Sequence, residues 1–345
     1  MFHQKLRILS VGLLSLRLFT SELSVATQTE PQNESATSTS LRFAAIGDMP
    51  YSKAEEVWIN TVINPALDKG EFPFIIHLGD YKTQGLDCIP ENDVFFKEWM
   101  AERNIPIFYT PGDNEWADCD YQALKAPTSE LQRLEMIRSE YFQSVVNAPW
   151  LSVKRQAQQV ENQSWVVAQK GINTVFGSLH VIGSNNGRSG IHQDNPTSVI
   201  KRVNKRDNHN SQWLDHIFKR AEEENAFAVV IAQHGDPSQK TANNKSCTTD
   251  PEELDCDPHF DLNRQLAKKA EQFGGPVLLM HGDTQPICLE SDFYNIPNLW
   301  RFNSTGDRIL TDAAVVEISS SLSTPFKIST LIWGLIPGEC KTEFL

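Results

Sequence analysis

Five times along this chain an apolar run of strand length ends in Gly-Asp, and no other feature limits the fold as strongly. The runs lead into Gly47-Asp48, Gly79-Asp80, Gly112-Asp113, Gly235-Asp236 and Gly282-Asp283. Short β-rich apolar stretches read as buried strands, and glycine lets the backbone turn where they end. The aspartate then falls on a loop at the strand's C-terminal edge, which is where open α/β sheets bind ligands. One Gly-Asp is an ordinary turn, since both residues favour turns. Five of them behind apolar runs, two written His-Gly-Asp, are a pattern.

The stretches between these blocks alternate with them. Helix-spaced apolar residues mark Lys53 to Lys69, Asp93 to Arg103, Ser211 to Asn225 and Phe260 to Phe273. Thr128 to Val146 opens with Thr128 or Ser129 as a cap and carries Leu131, Leu134, Ile137 and Tyr141 at helical spacing. Val166 to Ser184 reads as paired strands, and Ala313–Ile318 and Phe326–Trp333 return to strands. The order is βαβα first and β-rich last, which predicts an α/β layered αββα sandwich of two mixed sheets flanked by helices. Residues 41–345 show no internal linker and read as one domain. The polar stretch from Asp236 to Pro258 reads as a surface insertion near the sheet edge. Trp58, Trp99, Trp213 and Trp333 read as core, Trp116 as a pocket wall, and Arg133 and Arg138 as solvated-face residues.

The leader points to secretion. Lys5 and Arg7 precede an apolar Ile8–Leu16, and Ser24-Val25-Ala26 supplies small residues, so residues 1–26 read as a signal peptide. Residues 27–40 are polar and Ser/Thr-rich, the composition of a disordered spacer. No later segment approaches a membrane span. Six cysteines, an even number, fit an oxidising compartment. Cys88 and Cys119 follow the second and third Gly-Asp blocks and should pair at the sheet edge. Cys247 and Cys256 bracket the polar insertion, leaving Cys288 with Cys340. A zinc site is the rival reading, but no pair has Cys-x-x-Cys spacing. Sequons at Asn33, Asn162, Asn244 and Asn303 are consistent with glycosylation. A net charge of -13 argues against nucleic acid as a partner; it does not exclude a small anionic substrate beside a bound cation. The oligomeric state has no signal in the sequence.

The strand ends deliver Asp48, Asp80, Asp113 with Asn114 and Glu115, His234, and His281 with Asp283. Carboxylate oxygens plus imidazole suit Mn, Fe or Zn better than Ca. Two such ions roughly 3.5–4 Å apart can clamp a phosphate and activate water, and a shared carboxylate holds them that close. Asp80 is the candidate for the shared position. Ser184-Asn185-Asn186-Gly187 before Arg188 either cups a substrate phosphate through Asn185, Asn186 and Arg188 or forms an ordinary Gly-rich turn. His77, inside a strand before Asp80, reads as a buried orienting residue.

In this order the blocks resemble the calcineurin-like metallophosphoesterase superfamily, written Asp-x-His, Gly-Asp, Gly-Asn-His-Asp/Glu, a lone His, and Gly-His-x-His. Gly47-Asp-Met-Pro-Tyr51 and Thr110-Pro-Gly-Asp-Asn-Glu-Trp116 are similar to one branch of it. The resemblance implies that Asp48 binds a first metal, Asp80 bridges, and His234 binds a second. It places Asp113 and Asp283 at further ligand positions and Asn114 at the family's leaving-group His. Asn donates a hydrogen bond but does not shuttle a proton, so His281 is the alternative acid. Pro50 and Gln285 stand where the family has His, both on the first-metal side, which predicts a complete second site and a weakened first. The reading is a secreted phosphoesterase acting by metal-activated water on a small phosphate ester, with one or two divalent ions. The alternative is a secreted binding or regulatory protein on the same fold. A serine hydrolase is disfavoured, because no Gly-x-Ser-x-Gly elbow ends a strand.

Overall fold

Alternate residues of the first strand face two different cores, and that division sets the architecture. Leu41, Phe43 and Ala45 pack into one cluster, while Ala44 and Ile46 pack into another; a period of two sends them to opposite faces of a sheet buried on both sides. A computed structural model describes residues 40–169, 172–238, 245–248, 250, 255–284, 286–320 and 324–340. The signal peptide (1–26), most of the spacer, Asn33, Asn244, Gln285 and part of the polar insertion lie outside these residues.

The strands in chain order are β1 (Ser40–Ile46), β2 (Ile75–His77), β3 (Ile107–Tyr109), β4 (Lys154–Arg155), β5 (Gln163–Gln169), β6 (Ile172–Ser178) and β7 (Ala228–Ala232). They continue with β8 (Val277–His281), β9 (Cys288–Glu290), β10 (Leu299–Asn303), β11 (Ala314–Ser319), β12 (Phe326–Thr330) and β13 (Gly338–Glu339). One sheet has the order β12-β11-β1-β2-β3, the other β13-β9-β10-β8-β7-β6-β5-β4. Both are mixed. β1, β2 and β3 run parallel, as do β6, β7, β8 and β10, while β11 and β9 pair antiparallel. Apolar faces of the two sheets meet in a core holding Phe43, Phe74, Phe108, Trp165, Phe176 and Phe302. The rings of Phe108 and Trp165 stack with centroids 3.6 Å apart.

Helices cover both outer faces, giving the αββα sandwich expected from the sequence. On the first sheet lie α1 (Lys53–Trp58), a π-helical segment (Ile59–Ile63), α2 (Asn64–Lys69), α3 (Pro90–Glu102) and α4 (Glu130–Tyr141). The π segment ends two residues before Pro65, which has no N–H for the helical ladder. Ser129 caps α4 by accepting from the Gln132 amide. On the second sheet lie α5 (Pro196–Glu223) and α6 (Phe260–Phe273), packed through Trp213, Leu214, Ile217, Leu266 and Ala270. The long helix starts well before the predicted Ser211, because Asn195 caps it and Pro196 occupies its first turn.

The disulfides are Cys88–Cys119, Cys247–Cys256 and Cys288–Cys340, as predicted. Several surface expectations need correction. Arg133 is buried, donating to the Glu115 carbonyl and pairing with Asp93 at 2.6 Å. Arg138 pairs with the fully buried Glu161. Trp333 is exposed and outside the core, stacked on a half-buried Trp58 that packs against the core's edge. Asn162 and Asn303 are buried and hydrogen-bonded, which leaves a glycan no room at either.

Candidate metal centre

Three of the aspartates that end strands hold left-handed backbone conformations: Asp48 (φ 53°), Asp80 (φ 55°) and Asp283 (φ 68°). Asp is among the few non-glycine residues that enter this region readily. Such turns redirect each carboxylate after its strand, and strained positions of this kind gather at functional sites. The preceding glycines give the complementary space. A Cβ on Gly112 would collide with the Asp80 carboxylate, and one on Gly282 with the Asp48 carboxylate. Gly112 and Gly282 therefore each turn their own strand and also make room for the aspartate of another.

The C-terminal edges of the two sheets converge here. His234 Nε2 lies 3.1 Å from Asp113 Oδ1, 3.5 Å from Asp80 Oδ1 and 3.7 Å from Asp283 Oδ1. Asp48 accepts the Asp283 amide, and Asp80 accepts the Asn114 amide, both at 3.0 Å. Two overlapping triads have donor atoms within 4.8 Å of one another: Asp48, Asp80 and His234, and Asp113, His234 and Asp283. The five residues gathered are the five predicted as ligands, and His234 is common to both triads. Its Nδ1 lies 2.7 Å from the Leu78 carbonyl, which can only accept, so Nδ1 carries the proton and Nε2 faces the carboxylates.

Burial raises Asp48 to about 7, and raises Asp80 and Asp283 well above the usual carboxylate range. The neighbouring carboxylates add to this, and His234 opposes it. Burial alone would lower His234, but Asp80, Asp113, Asp48 and Asp283 together hold it well above an ordinary histidine. Asp113 is lowered in spite of its burial, by its hydrogen bonds from His234 and Ser184. Four carboxylates held around one imidazole, with Asp283 Oδ2 buried and unpartnered, are a donor set that fits a divalent cation.

Supporting residues fix the loops. Glu115, fully buried, accepts from the Gly112 amide at 2.6 Å, the Tyr109 hydroxyl at 2.7 Å and the Asp80 amide at 3.1 Å. His77 accepts from the Gly79 amide at 3.2 Å, and burial lowers it to about 3, so it serves as a neutral orienting residue. Asp236 receives Thr284 Oγ1 at 2.9 Å and Arg301 at 3.1 Å. It anchors the loop beside the cluster instead of joining it.

The remaining predicted residues separate. Asn114 is buried beside the cluster, with Nδ2 3.4 Å from the Tyr51 hydroxyl. That hydroxyl donates to Asp80 Oδ2 at 3.1 Å. His281 is fully buried, its Nδ1 2.8 Å from the Gly282 carbonyl and its Nε2 3.4 Å from Arg301. Burial lowers it to about 4, and it is outside both triads. Gly183–Gly187 forms a left-handed turn, with Ser184, Asn185 and Asn186 at φ between 51° and 57°. Its Ser184 hydroxyl lies 2.8 Å from Asp113 and 2.7 Å from Asp118. Asn186 and Arg188 instead bond Asp207 of α5, and Asn185 Oδ1 is buried without a partner. Of this turn it is Ser184, left out of the predicted set, that touches the cluster. Tyr51 had appeared in the sequence only as a motif letter, and Glu115, delivered by the third strand end as expected, orients the loops instead of joining either triad. Pro50 is buried and contributes no ligand atom.

The family model for calcineurin-like phosphoesterases matches residues 41–286, which include every block described above. Among solved structures, the chain is similar to one titled GAP50, the anchor in the inner membrane complex of Plasmodium. That match has a TM-score of 0.50 and 12% identity over 88% of this chain and 90% of that one. A second, titled as the structure of PhoD, matches with a TM-score of 0.45 and 13% identity over 88% and 75%. No curated protein matches the chain in sequence. At 12% identity the first of these matches speaks to the fold alone.

Proposed function

The chain belongs to the calcineurin-like phosphoesterase family, and on that premise we propose that it is a metal-dependent phosphoesterase of an oxidising, extracytoplasmic compartment. The observation that carries this reading is the pair of triads sharing His234. Asp48, Asp80, Asp113, His234 and Asp283 would hold the ion or ions. When bound, a divalent cation supplies Lewis-acid charge for a phosphoryl oxygen and acidifies water. An imidazole nitrogen serves one ion at a time, so the shared His234 favours one tightly held cation, with any second resting on carboxylates alone. Pro50, where the family has a His, points the same way.

The chain's own residues supply the rest. Tyr51 and Asn114 are neutral hydrogen-bond donors beside Asp80. Burial and Asp80 hold the Tyr51 phenol well above its ordinary value, so it stays protonated. These two groups would steady the leaving oxygen by donating hydrogen bonds, Asn114 through its second N–H and Tyr51 by turning its one O–H away from Asp80, with the proton itself coming from solvent. Arg308 is exposed and sits over the Tyr51 ring, its guanidinium carbon 5.3 Å from the centroid. The next residue back, Asp307, donates its amide to the Asp48 carbonyl at 2.9 Å. That strap places Arg308 to meet an anionic ester entering a site that is otherwise carboxylate-lined. Three disulfides support the compartment, and the predicted leader would direct the chain there. No helix among the described residues is long and apolar enough to cross a membrane.

The test is hydrolysis of an aryl phosphate monoester and diester with Mn, Fe or Zn, compared with Asp80→Asn. Metal-dependent turnover that falls at least a hundredfold in the variant supports the enzyme. No turnover with any metal favours the second reading, a binding protein on this fold, which rests on Pro50 and on Asn114 in place of a proton-transferring His.

A further inference from the structure

Between α4 and α5 lies a cavity of about 70 Å³ with Trp116 in its wall. The chain carries a net charge of -13, yet five basic residues line this one cavity, Arg138, Arg202, Lys205, Arg206 and His209, against a single carboxylate, Glu135. Leu134, Val199 and Val203 add an apolar wall. The volume matches roughly two waters at about 30 Å³ each, or one phosphate or carboxylate group.

Arg206 is the informative residue. It is 5% exposed, its guanidinium carbon 5.3 Å from the centre of the Trp116 ring. Its Nη2 bonds only the backbone and side-chain oxygens of Asn186, and its Nε has no partner. Among the described residues no carboxylate lies within 4.0 Å of it, although buried charges are as a rule paired. Burial pulls it down to about 10. The other cations differ in what they leave free. Arg138 is taken by Glu161 and Glu135, whereas Arg202 reaches Glu135 only at 4.0 Å and Lys205 is exposed. Asp207, Glu161 and Glu130 act on Arg206 only from beyond ion-pair distance, and water in the cavity would satisfy Nε without placing a negative charge in contact with the guanidinium.

We propose that this cavity is a binding site for a small oxyanion, a phosphate or carboxylate group held by Arg206, Arg202 and Lys205 against Trp116. The site is separate from the metal centre and independent of the phosphoesterase reading. It is nevertheless mechanically joined to that centre, since Arg206 holds Asn186 and the same turn sets Ser184 against Asp113.

The experiment is calorimetric titration of inorganic phosphate, and separately of acetate, into the full-length protein at physiological ionic strength. Wild type, Arg206→Met, the surface double variant Arg202→Ser/Lys205→Ser, and Asp80→Asn are compared. The double variant changes exposed side chains, so it reports even if Arg206→Met fails to fold. An anion that binds wild type and Asp80→Asn alike, and about tenfold more weakly in the double variant, supports the site, as expected for losing charge-assisted hydrogen bonds. Which of the two anions binds tells a phosphate site from a carboxylate site. Binding that survives the double variant and disappears in Asp80→Asn would assign it to the metal centre and overturn the proposal. So would the absence of binding by either anion up to millimolar concentration.

Discussion

Gly282 leaves room for the carboxylate of Asp48: a Cβ there would strike Asp48 Oδ2. Asp48 ends a strand of one sheet and Gly282 a strand of the other, so this contact is where the two sheets join at the centre. Gly282→Ala must push Asp48 away or shift the loop, and overpacking of this kind costs about 1–3 kcal/mol. The expected result is a protein that still folds but holds at least tenfold less metal after gel filtration, as measured by inductively coupled plasma mass spectrometry. Full metal content in Gly282→Ala would show that the cluster does not bind through Asp48.

Metal uptake should release protons. In the unliganded centre burial raises Asp48 to about 7, with Asp80 and Asp283 raised well above the carboxylate range, and the surrounding aspartates raise His234. Bound ligands must be deprotonated. Affinity therefore rises with pH through the range in which these groups titrate and weakens as they protonate below it. Calorimetry of Mn or Zn binding at pH 7, in buffers of different ionisation enthalpy, should show at least one proton released per ion. A heat independent of the buffer contradicts the picture.

Tyr51 and Arg308 should separate kinetically if the enzyme reading holds. Tyr51→Phe removes a donor beside Asp80 and should lower kcat by about tenfold, near the loss of one hydrogen bond to a charged group. Arg308→Ala removes an exposed cation over the Tyr51 ring. It should raise KM several-fold with a smaller change in kcat, and the effect should shrink with added salt. Equal effects on both parameters in both variants would deny the two residues distinct roles.

Much of this was legible in the sequence because it is local. Gly-Asp after an apolar run encodes a strand end followed by a residue tolerant of positive φ, and Asp48, Asp80 and Asp283 adopt that conformation. The helix over Phe260–Phe273 matches its apolar spacing, and the cysteines that follow neighbouring strand ends are bonded. What stayed hidden depends on contacts distant in sequence. Leu299–Asn303 is too short and mixed to declare itself, and becomes a strand by pairing with Val277–His281. Arg133 carries the spacing of a solvated face, yet it is buried because Asp93 and the Glu115 carbonyl receive it. Ser184 gave no signal beyond a turn, since its role depends on Asp113, 71 residues away.

Glu130 allows a test of the fold that is independent of metal. It is fully buried in the first turn of α4, and neither carboxylate oxygen has a partner. Burial, reinforced by Asp120 and Asp194, raises it to about 9. A carboxyl raised on folding contributes stability below its unfolded value, near 4.3, and loses it as pH rises toward its folded value. Glu130→Gln keeps the shape and removes the titration, while every other group titrates alike in both proteins. In denaturant unfolding, the variant should therefore gain on wild type by about 1.4 kcal/mol per pH unit between roughly pH 5 and 9. A difference that stays flat across that range would mean that Glu130 is charged, and therefore paired, in the folded protein.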